Sequence, residues 1–455
     1  MGMMSNRKYT GYEAGEGLVS VLFILYAFLR CWPYFLWENY QNGVFSTIGG
    51  VSTSIVFALL AITGGIAYIL VTRATVIPKS KFLLSAAVVI CMFLYYLVTD
   101  RHGRSLFNIS WLHYLALAVF LLMPDRVIVR TLNNFTKLYV ITLIPALIWY
   151  FLTNLLGMQI PYTPLESTHS GKVALGMSYK HYPGGCQIVS RWDPTMNYRF
   201  NGIYDEPGVI GTMSGLLLAT RQFRFRDDQK RFSYISLILL MTGVVSFSLA
   251  FYVFVILFYI SKNLTSGKFK GAVALTALLV AYIVFINMPI ENQMFKLIQQ
   301  RITITAAGLA GENRTTDVFD EVYDQFQHGE DLSVLLFGNG IGAADGRAFG
   351  AMTYKMIIYD YGYIGFALFV FWILCYAMYA YRRSRSSAGM IGTLTILVFA
   401  NIYQRAGLFY FHYMMIFVGG LQLFVDQAGR KDRQDAVWTR AVCKRRRKRG
   451  VLCRN

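Results

Sequence analysis

Charged residues are scarce in this chain of 455 residues, at 15% of the sequence. A soluble domain usually carries about a quarter of its residues as Asp, Glu, Lys or Arg. Hydrophobic residues reach 55%, and the 34 Phe and 31 Tyr match the aromatic enrichment of bilayer interfaces. The composition therefore excludes an ordinary soluble domain and predicts a membrane protein.

The sequence also lacks the motifs that mark several common catalytic and cofactor sites. The six cysteines form no C-x-x-C pair, and the six histidines form no H-E-x-x-H. There is no G-x-S-x-G and no Walker G-x-x-x-x-G-K-[ST], and the glycine-rich stretch GNGIGAADG follows no strand of a βαβ unit. We therefore expect neither a metal ion nor a cofactor.

Apolar runs close to the roughly 20 residues that cross a bilayer recur along the chain. The predicted spans are 17–37, 50–71, 82–99, 106–123, 138–158, 207–220, 271–288, 355–379, 388–403 and 407–425. The stretch 232–261 is interpreted as two short helices that meet near Ser246–Phe247–Ser248, because a single crossing would place the basic tail outside. The fold class that follows is an all-α polytopic membrane protein with about 12 transmembrane helices.

The net charge of +19 would suit a nucleic-acid-binding protein, but its placement indicates a membrane topology instead. With the N-terminus inside and 12 crossings, 30 of the 43 Lys and Arg fall in cytoplasmic segments and 12 in external ones. This bias follows the positive-inside rule. We therefore predict a multi-pass protein with both termini in the cytoplasm, the lipid bilayer as a partner and no nucleic acid.

Two large external loops and a tail complete the predicted organisation. Residues 1–428 form one transmembrane domain, with loops at about 159–206 and 289–354. Residues 429–455 form a basic cytoplasmic tail, which we predict to be disordered and attracted to anionic lipid. Long loops in a compact protein often carry function, so both loops are candidate sites.

The first loop ends in the charged stretch RFNGIYDEPG, directly before an apolar span. Its candidate residues are Arg191, Arg199, Gly202, Asp205 and Glu206. Pro207 suits the first turn of a helix, because its missing N–H would have no partner there anyway. One interpretation is a helix start capped by Asp205 and Glu206, and the other is a functional site.

The second loop combines basic residues with an amphipathic segment. Its candidate residues are Arg301, Arg314, His328, Arg347 and Lys355. Val318, Phe319, Val322 and Phe326 have helical spacing, which predicts an external helix at or near the bilayer surface with His328 capping it or solvated. Arginine is suited to phosphate, because its planar fork donates two parallel charge-assisted hydrogen bonds. Arginines from two loops on one membrane face would suit a lipid pyrophosphate.

Four stretches, taken in order, resemble the O-antigen polymerase (Wzy-type) and O-antigen ligase superfamily. They are RFNGIYDEPG at 199–208, VVSFSLAFYVF at 244–254, LFGNGIG at 336–342 and YGYIGF at 361–366. Two positions depart from the family pattern. Leu249 stands where an arginine often follows the serine-rich break, and GAMTYKMIIYDYG lacks the histidine that ligases usually have just before the last span of this pattern.

The resemblance implies a glycosyltransferase of the bacterial inner membrane. It would join oligosaccharide repeat units carried on undecaprenyl pyrophosphate at the periplasmic face, without a metal ion, for O-antigen, capsule or exopolysaccharide. The implied catalytic residues are Arg191, Arg199, Glu206 and Arg314, with Glu206 as the base. The implied substrate contacts are Gly202, Asp205, Arg301, His328, Arg347 and Lys355. A chain-length regulator and a flippase are the further partners to which the resemblance points.

Three other functions stay open from the sequence. A ligase of the same superfamily would transfer finished polymer to lipid A-core, and the missing histidine counts against it. A flippase for lipid-linked oligosaccharide should line its cavity with charge inside the spans, where charge is sparse here. A scaffold protein of a secretion complex would not need arginines at one membrane face.

Overall fold

The computed structural model describes most of the chain in segments. These are residues 3–36, 47–48, 51–72, 77–99, 110–166, 176–191, 194–226, 232–265, 270–291, 295–296, 299–300, 303–305, 308–309, 316–340, 342–346, 353–405, 407 and 409–448. Arg301, Arg314 and Arg347, three of the predicted site residues, lie outside them.

Helices dominate the described residues, as the composition predicts. They are α1 (Met3–Leu29), α2 (Thr53–Thr72), α3 (Lys79–Thr99), α4 (Ser110–Leu122), α5 (Asp125–Tyr150, continued by a π-helical turn over Phe151–Leu155), α6 (Pro207–Thr220), α7 (Tyr234–Val245), α8 (Leu249–Thr265), α9 (Lys270–Asn287), α10 (Asp317–Gln327), α11 (Leu332–Phe337), α12 (Ala343–Gly346), α13 (Tyr354–Arg383), α14 (Ala388–Gln404) and α15 (Phe411–Lys448). The strands are β1 (Thr47–Ile48), β2 (Val51–Ser52), β3 (Thr163–Glu166), β4 (Met177–Tyr182), β5 (Gly185–Ser190), β6 (Ile304–Thr305) and β7 (Gly308–Leu309).

Among the described residues, four helices are long and apolar enough to cross a membrane. They are Thr53–Thr72, Asp125–Leu155, Tyr354–Arg383 and Arg385–Tyr403. Large apolar side chains on the outside of these helices face away from the protein; Val71 is 82% exposed and Phe371 is 66% exposed. Such a surface suits lipid better than water. The structure therefore supports a helical membrane protein, while the number of 12 crossings stays a prediction.

The break predicted within 232–261 is present, at Ser246–Ser248 between α7 and α8. Helix α7 runs antiparallel to α6. The Arg221 guanidinium, just after α6, donates to the Ser233 hydroxyl just before α7 over 2.9 Å. Further along, the hydroxyls of Ser214 and Thr242 are 3.2 Å apart.

Helix α8 then returns along the same neighbour, α6. Its first turn is so close to α6 that a methyl group on Gly211 would overlap the Ser248 side chain. Midway along α8, the ring centroid of Phe258 is 4.5 Å from that of Phe223, which lies just after the end of α6. Contacts at both ends of α6 show that the chain reverses direction at the break, so 232–261 is a helical hairpin.

The first large loop differs from the all-helical prediction. It contains an antiparallel sheet in the order β3-β4-β5, which lies against the later part of α5. Trp149 of α5 donates its indole N–H to the Pro183 carbonyl over 2.8 Å, and its ring stacks on Tyr182. Gly185 approaches the backbone of Ala146 closely. The residues of these strands that favour a sheet are Tyr179, Tyr182, Ile188 and Val189.

Helix α10 confirms the predicted amphipathic segment but not every residue of its apolar face. Phe319, Tyr323 and Phe326 are buried against α13, at helical spacing. Val318 is 62% exposed, so its assignment to the apolar face was wrong. The stripe i, i+4, i+7 that starts at Phe319 includes Tyr323 and leaves Val318 to one side.

The predicted disordered tail is helical as far as it is described. Helix α15 continues from Phe411 through the predicted domain boundary to Lys448. Residues 430–448 contain neither glycine nor proline, and Ala, Gln, Lys and Arg are good helix formers. A strongly basic composition therefore did not prevent helix formation.

Two glycine motifs of the sequence pack against each other at a kink in α13. Gly362 interrupts that helix with φ 68°, and Gly338 has φ 82°. A methyl group on Gly338 would overlap the Asp360 carbonyl, and one on Gly362 would overlap the Leu336 carbonyl. The Asp360 carboxylate accepts from the amides of 342 and 344 over 3.0 and 2.9 Å. Backbone groups at the end of the second loop therefore hold that loop against α13.

Replacing Gly338 with alanine should destabilise the protein, because both its backbone conformation and its neighbours exclude a methyl group. We expect Gly338→Ala to cost about 1–3 kcal/mol, as strained backbone positions do. The matched control is Gly392→Ala in α14, where no atom lies within 4 Å of the added carbon and the change should gain about 0.5–1 kcal/mol. Thermal unfolding of the purified protein in detergent tests this. Equal midpoints for the two variants would contradict the packing described.

Candidate functional site at the mouth of the helix bundle

The stretch from Arg199 to Glu206 connects the small sheet to the start of α6 and contacts the ends of α1 and α7. The Phe200 amide donates to the Val245 carbonyl over 3.0 Å, at the end of α7. The Ile203 carbonyl accepts from the Tyr34 amide over 2.8 Å, just after α1. The first loop therefore lies over the ends of α1 and α7 and is held there by its backbone.

Arg199 is buried beneath this stretch, with 5% of its surface exposed. Its Nε donates to the Ser246 carbonyl over 3.2 Å, and one Nη lies 3.3 Å from the Met196 sulfur. The Ser246 carbonyl belongs to the break between α7 and α8, where Phe247 has φ 47°. Arg199 therefore fixes the loop to the helical hairpin, which is a positioning role.

Gly202 and Asp205, two predicted substrate contacts, are tied to the sheet. The Gly202 carbonyl accepts from the Cys186 amide over 2.8 Å. The Tyr179 hydroxyl donates to the Asp205 carboxylate over 2.9 Å. Burial raises the pKa of Tyr179 well above its ordinary value, and the Asp205 carboxylate raises it further, so the hydroxyl stays a donor. Both residues join the sheet to the start of α6.

Glu206 precedes Pro207, which begins α6 as predicted, but its carboxylate is not used to cap that helix. It forms an ion pair with the Arg405 guanidinium, with 2.9 Å between Oε2 and Nη2. The Glu206 side chain is 25% exposed and that of Arg405 is 11% exposed. The capping interpretation is therefore wrong for Glu206, whose carboxylate is turned towards a second charged residue.

Arg405 follows α14 and is one of the residues of this site that were not predicted from the sequence. Burial disfavours its charged form, but Glu206, together with Tyr413 and Asp205, outweighs this effect, so the pKa of Arg405 is raised above its ordinary value. The signal was available in the sequence as QRAG, a short polar connection with one cation between two apolar runs. Neither helix end needs an arginine at this position, so its presence indicates a specific partner, which is Glu206.

Further polar residues lie around this ion pair. Arg30 follows α1, and its guanidinium is 5.9 Å from the Tyr410 ring centroid. His412 lies in the first turn of α15, with its ring centroid 6.1 Å from that of Tyr410. His113, in the first turn of α4, is 2.6 Å from the Tyr26 hydroxyl oxygen. We call Arg30, His113, Glu206, Arg405 and His412 the mouth, because ends of α1, α4, α6, α14 and α15 meet there.

Three other predicted residues are described elsewhere. Arg191 is exposed after β5, and its amide donates to the Gly176 carbonyl over 3.1 Å. His328 ends α10, with its Nδ1 2.9 Å from the Asp324 carbonyl oxygen. Lys355 forms an ion pair of 2.7 Å with Asp320. These contacts do not include the mouth residues.

The mouth offers a carboxylate and two guanidinium groups within a wall of aromatic side chains. A guanidinium can bind phosphate oxygens and a carboxylate can accept a proton, so the set suits transfer chemistry on an anionic substrate. Within the described residues, no group of three or more His, Cys, Asp and Glu could hold a metal ion. No protein-family model matches the sequence, and no curated protein is similar to it.

Arg199→Ala should destabilise the protein, because the Ser246 carbonyl would lose a buried donor. We expect a loss of about 1–3 kcal/mol, the usual cost of an unsatisfied buried acceptor. Arg191→Ala removes the same side chain from an exposed position of the same loop and should change stability by about 0.5 kcal/mol or less. Thermal unfolding in detergent compares the two. A larger loss for Arg191→Ala would show that the buried contact is not what holds this loop.

Glu206 and Arg405 should depend on each other for stability. Removal of either charge leaves the other buried without its partner, so Glu206→Gln and Arg405→Gln should each cost on the order of 3 kcal/mol. The double variant should lose less than the sum of the two.

The control for this cycle is the ion pair of Asp426 and Arg430, whose side chains are 33% and 70% exposed, so Asp426→Asn and Arg430→Gln should couple by about 1 kcal/mol or less. Unfolding midpoints of the three variants of each pair measure the coupling. Additive losses at Glu206 and Arg405 would contradict an energetically coupled pair.

Proposed function

We propose that this protein is a membrane glycosyltransferase that polymerises oligosaccharide repeat units carried on undecaprenyl pyrophosphate. The observation that carries this proposal is the mouth, where the Glu206 carboxylate contacts the Arg405 guanidinium and Arg30 supplies a second cation. A pyrophosphate carries several negative oxygens, and arginine binds such oxygens in pairs. The sugar next to it would lie within reach of Glu206.

Two further features support the proposal. Two of the four sequence stretches that resemble O-antigen polymerases meet at this site: RFNGIYDEPG forms part of the mouth, and Arg199 within it contacts the VVSFSLAFYVF break. The other two, LFGNGIG and YGYIGF, pack together at the α13 kink. The apolar surface of the helices would accommodate the polyprenyl chain of the substrate.

In the proposed reaction, the acceptor hydroxyl oxygen forms a bond to the anomeric carbon of the donor sugar. The bond from that carbon to the pyrophosphate oxygen breaks, and undecaprenyl pyrophosphate leaves with the electron pair. Glu206 takes the proton of the hydroxyl. Incoming pyrophosphate would compete with Glu206 for the Arg405 guanidinium, which would release the carboxylate to act as a base. Arginines placed in advance stabilise the leaving group without reorganisation.

The proposal includes the membrane arrangement predicted from the charges. The chain would cross the bacterial inner membrane 12 times with both termini in the cytoplasm, and the mouth would face the periplasm. Arg301, Arg314 and Arg347 would add cations from the second loop. A flippase would deliver the repeat units, and a chain-length regulator would act with the polymerase.

A ligase of the same superfamily is the second candidate. The observation that favours it is His412, which lies at the mouth together with Arg30 and Arg405 although the ligase motif position has no histidine. A ligase uses nearly the same lipid-linked donor and differs in its acceptor. The product left by a deletion strain therefore separates the two functions.

The test is polysaccharide chain length in a strain that lacks the gene and carries wild type, Glu206→Gln or Arg405→Gln at equal membrane levels. We expect both variants to leave mainly single repeat units, as the deletion does. The matched control is Glu166→Gln, the same change at an exposed position of the same loop, which should restore long polymer.

The outcomes discriminate among the functions. Long polymer in Glu206→Gln and Arg405→Gln would place the chemistry elsewhere. Long polymer that is not joined to its final acceptor in the deletion strain would identify a ligase. Repeat units retained on the cytoplasmic leaflet in the deletion strain would identify a flippase.

A further inference from the structure

A large cleft lies at the end of the helix bundle where α5 begins. It has a volume of about 1120 Å³. It is formed by the start of α5, the connection between α13 and α14, and the middle of α15. Its charged lining residues are Asp125, Arg126, Arg130, Lys137, Arg383, Arg385, Asp426 and Arg430. Six cations and two carboxylates therefore share one concave surface.

Helix α14 shows that this cleft is at the opposite end of the bundle from the mouth. Arg385 lies just before this helix and lines the cleft, whereas Arg405 lies just after it at the mouth. A helix of 17 residues is about 25 Å long. The cleft is therefore separate from the site of the proposed reaction.

Both carboxylates of the cleft already have cationic partners. Asp125 accepts from Lys81 over 2.9 Å and from Arg383 over 2.6 Å. Asp426 pairs with Arg430 over 2.7 Å. These acids therefore do not offset the remaining cations of the cleft.

Three exposed cations are left over. Within the described part of the chain, Arg130, Lys137 and Arg385 have no carboxylate within 4.0 Å. Arg130 and Lys137 lie on α5, and Arg385 lies across the cleft from them. The amides of Asn133 and Asn134 and the hydroxyls of Ser384 and Ser386 supply further donors between these charges. Donors and cations on both walls would surround an anion.

The walls of the cleft are fixed, unlike an ordinary solvated face. Besides Asp125, Arg383 donates to the Gln422 amide oxygen over 2.9 Å. Gln422 in turn donates to the Tyr376 hydroxyl over 3.1 Å. The Ser387 hydroxyl donates to the Phe424 carbonyl over 3.1 Å. These contacts join α5, α13 and α15, so the cleft does not need to assemble when a ligand arrives.

We propose that this cleft is a second binding site, specific for a phosphate-bearing anion. The shared chemistry is a phosphate group bound by Arg130, Lys137 and Arg385. It could come from the headgroup of an acidic phospholipid or from a soluble phosphate compound. Basic pockets between helices at a membrane surface suit such headgroups. Through this site the protein would bind an acidic phospholipid or a soluble phosphate compound, independently of the mouth.

Ligand-dependent stabilisation of the full-length protein in zwitterionic detergent tests this site. The probes are short-chain phosphatidylglycerol, short-chain phosphatidylcholine and inorganic phosphate, and the readout is the unfolding midpoint at each concentration. We expect phosphatidylglycerol to raise the midpoint and phosphatidylcholine to leave it unchanged. The combined variant Arg130→Gln, Lys137→Gln and Arg385→Gln should raise the half-saturating concentration at least about tenfold.

A charge-matched control separates this site from general attraction. Lys79→Gln, Arg224→Gln and Arg226→Gln together remove three exposed cations outside the cleft and should leave the half-saturating concentration unchanged. A shift with inorganic phosphate that the cleft variant abolishes would support the site and assign it to a soluble ligand. No shift with either anion, or an equal effect of the two triple variants, would overturn the proposal.

Discussion

The ion pair of Glu206 and Arg405 is the constraint on which the arrangement of the mouth depends. A buried guanidinium is costly without a partner, so the start of α6 and the end of α14 have to meet. The stretch between Arg199 and Glu206 is then held at both ends. Arg199 holds one end against the α7–α8 hairpin and Glu206 holds the other end against α14. The backbone contacts with α1 and the sheet follow from this placement.

The sequence predicted the class of protein better than the roles of its charged residues. Low charge, apolar runs and the serine-rich break indicated a helical membrane protein with a hairpin at 232–261. Membrane helices can be predicted in this way because their formation depends on local composition, through the transfer of apolar side chains from water into the bilayer. Whether Arg199 faces a ligand or a backbone carbonyl depends on α7, which is distant in sequence. No local pattern carries that information.

The same limit explains the other differences. The sheet in the first loop forms because α5 offers Trp149 and Ala146 as a surface, and strands of six residues without such a surface are weak signals. Arg405 lies between the predicted spans 388–403 and 407–425, and its partner Glu206 is about 200 positions away, so it could not be identified from neighbouring residues. The glycines of LFGNGIG and YGYIGF were identified only as parts of a resemblance, and the close approach of the two motifs was not predicted, because it joins positions on separate helices.

The contact between Arg199 and Ser246 also has a consequence for biosynthesis. The two residues are 47 positions apart, and the arginine is made first. During synthesis, the first loop therefore emerges before the hairpin that holds it. Arg199 cannot contact the Ser246 carbonyl until α7 has been made. The Arg405 side chain arrives later still, after α14. The mouth is thus completed only near the end of translation, so a chain truncated before α14 would contain the loop but could not close the site.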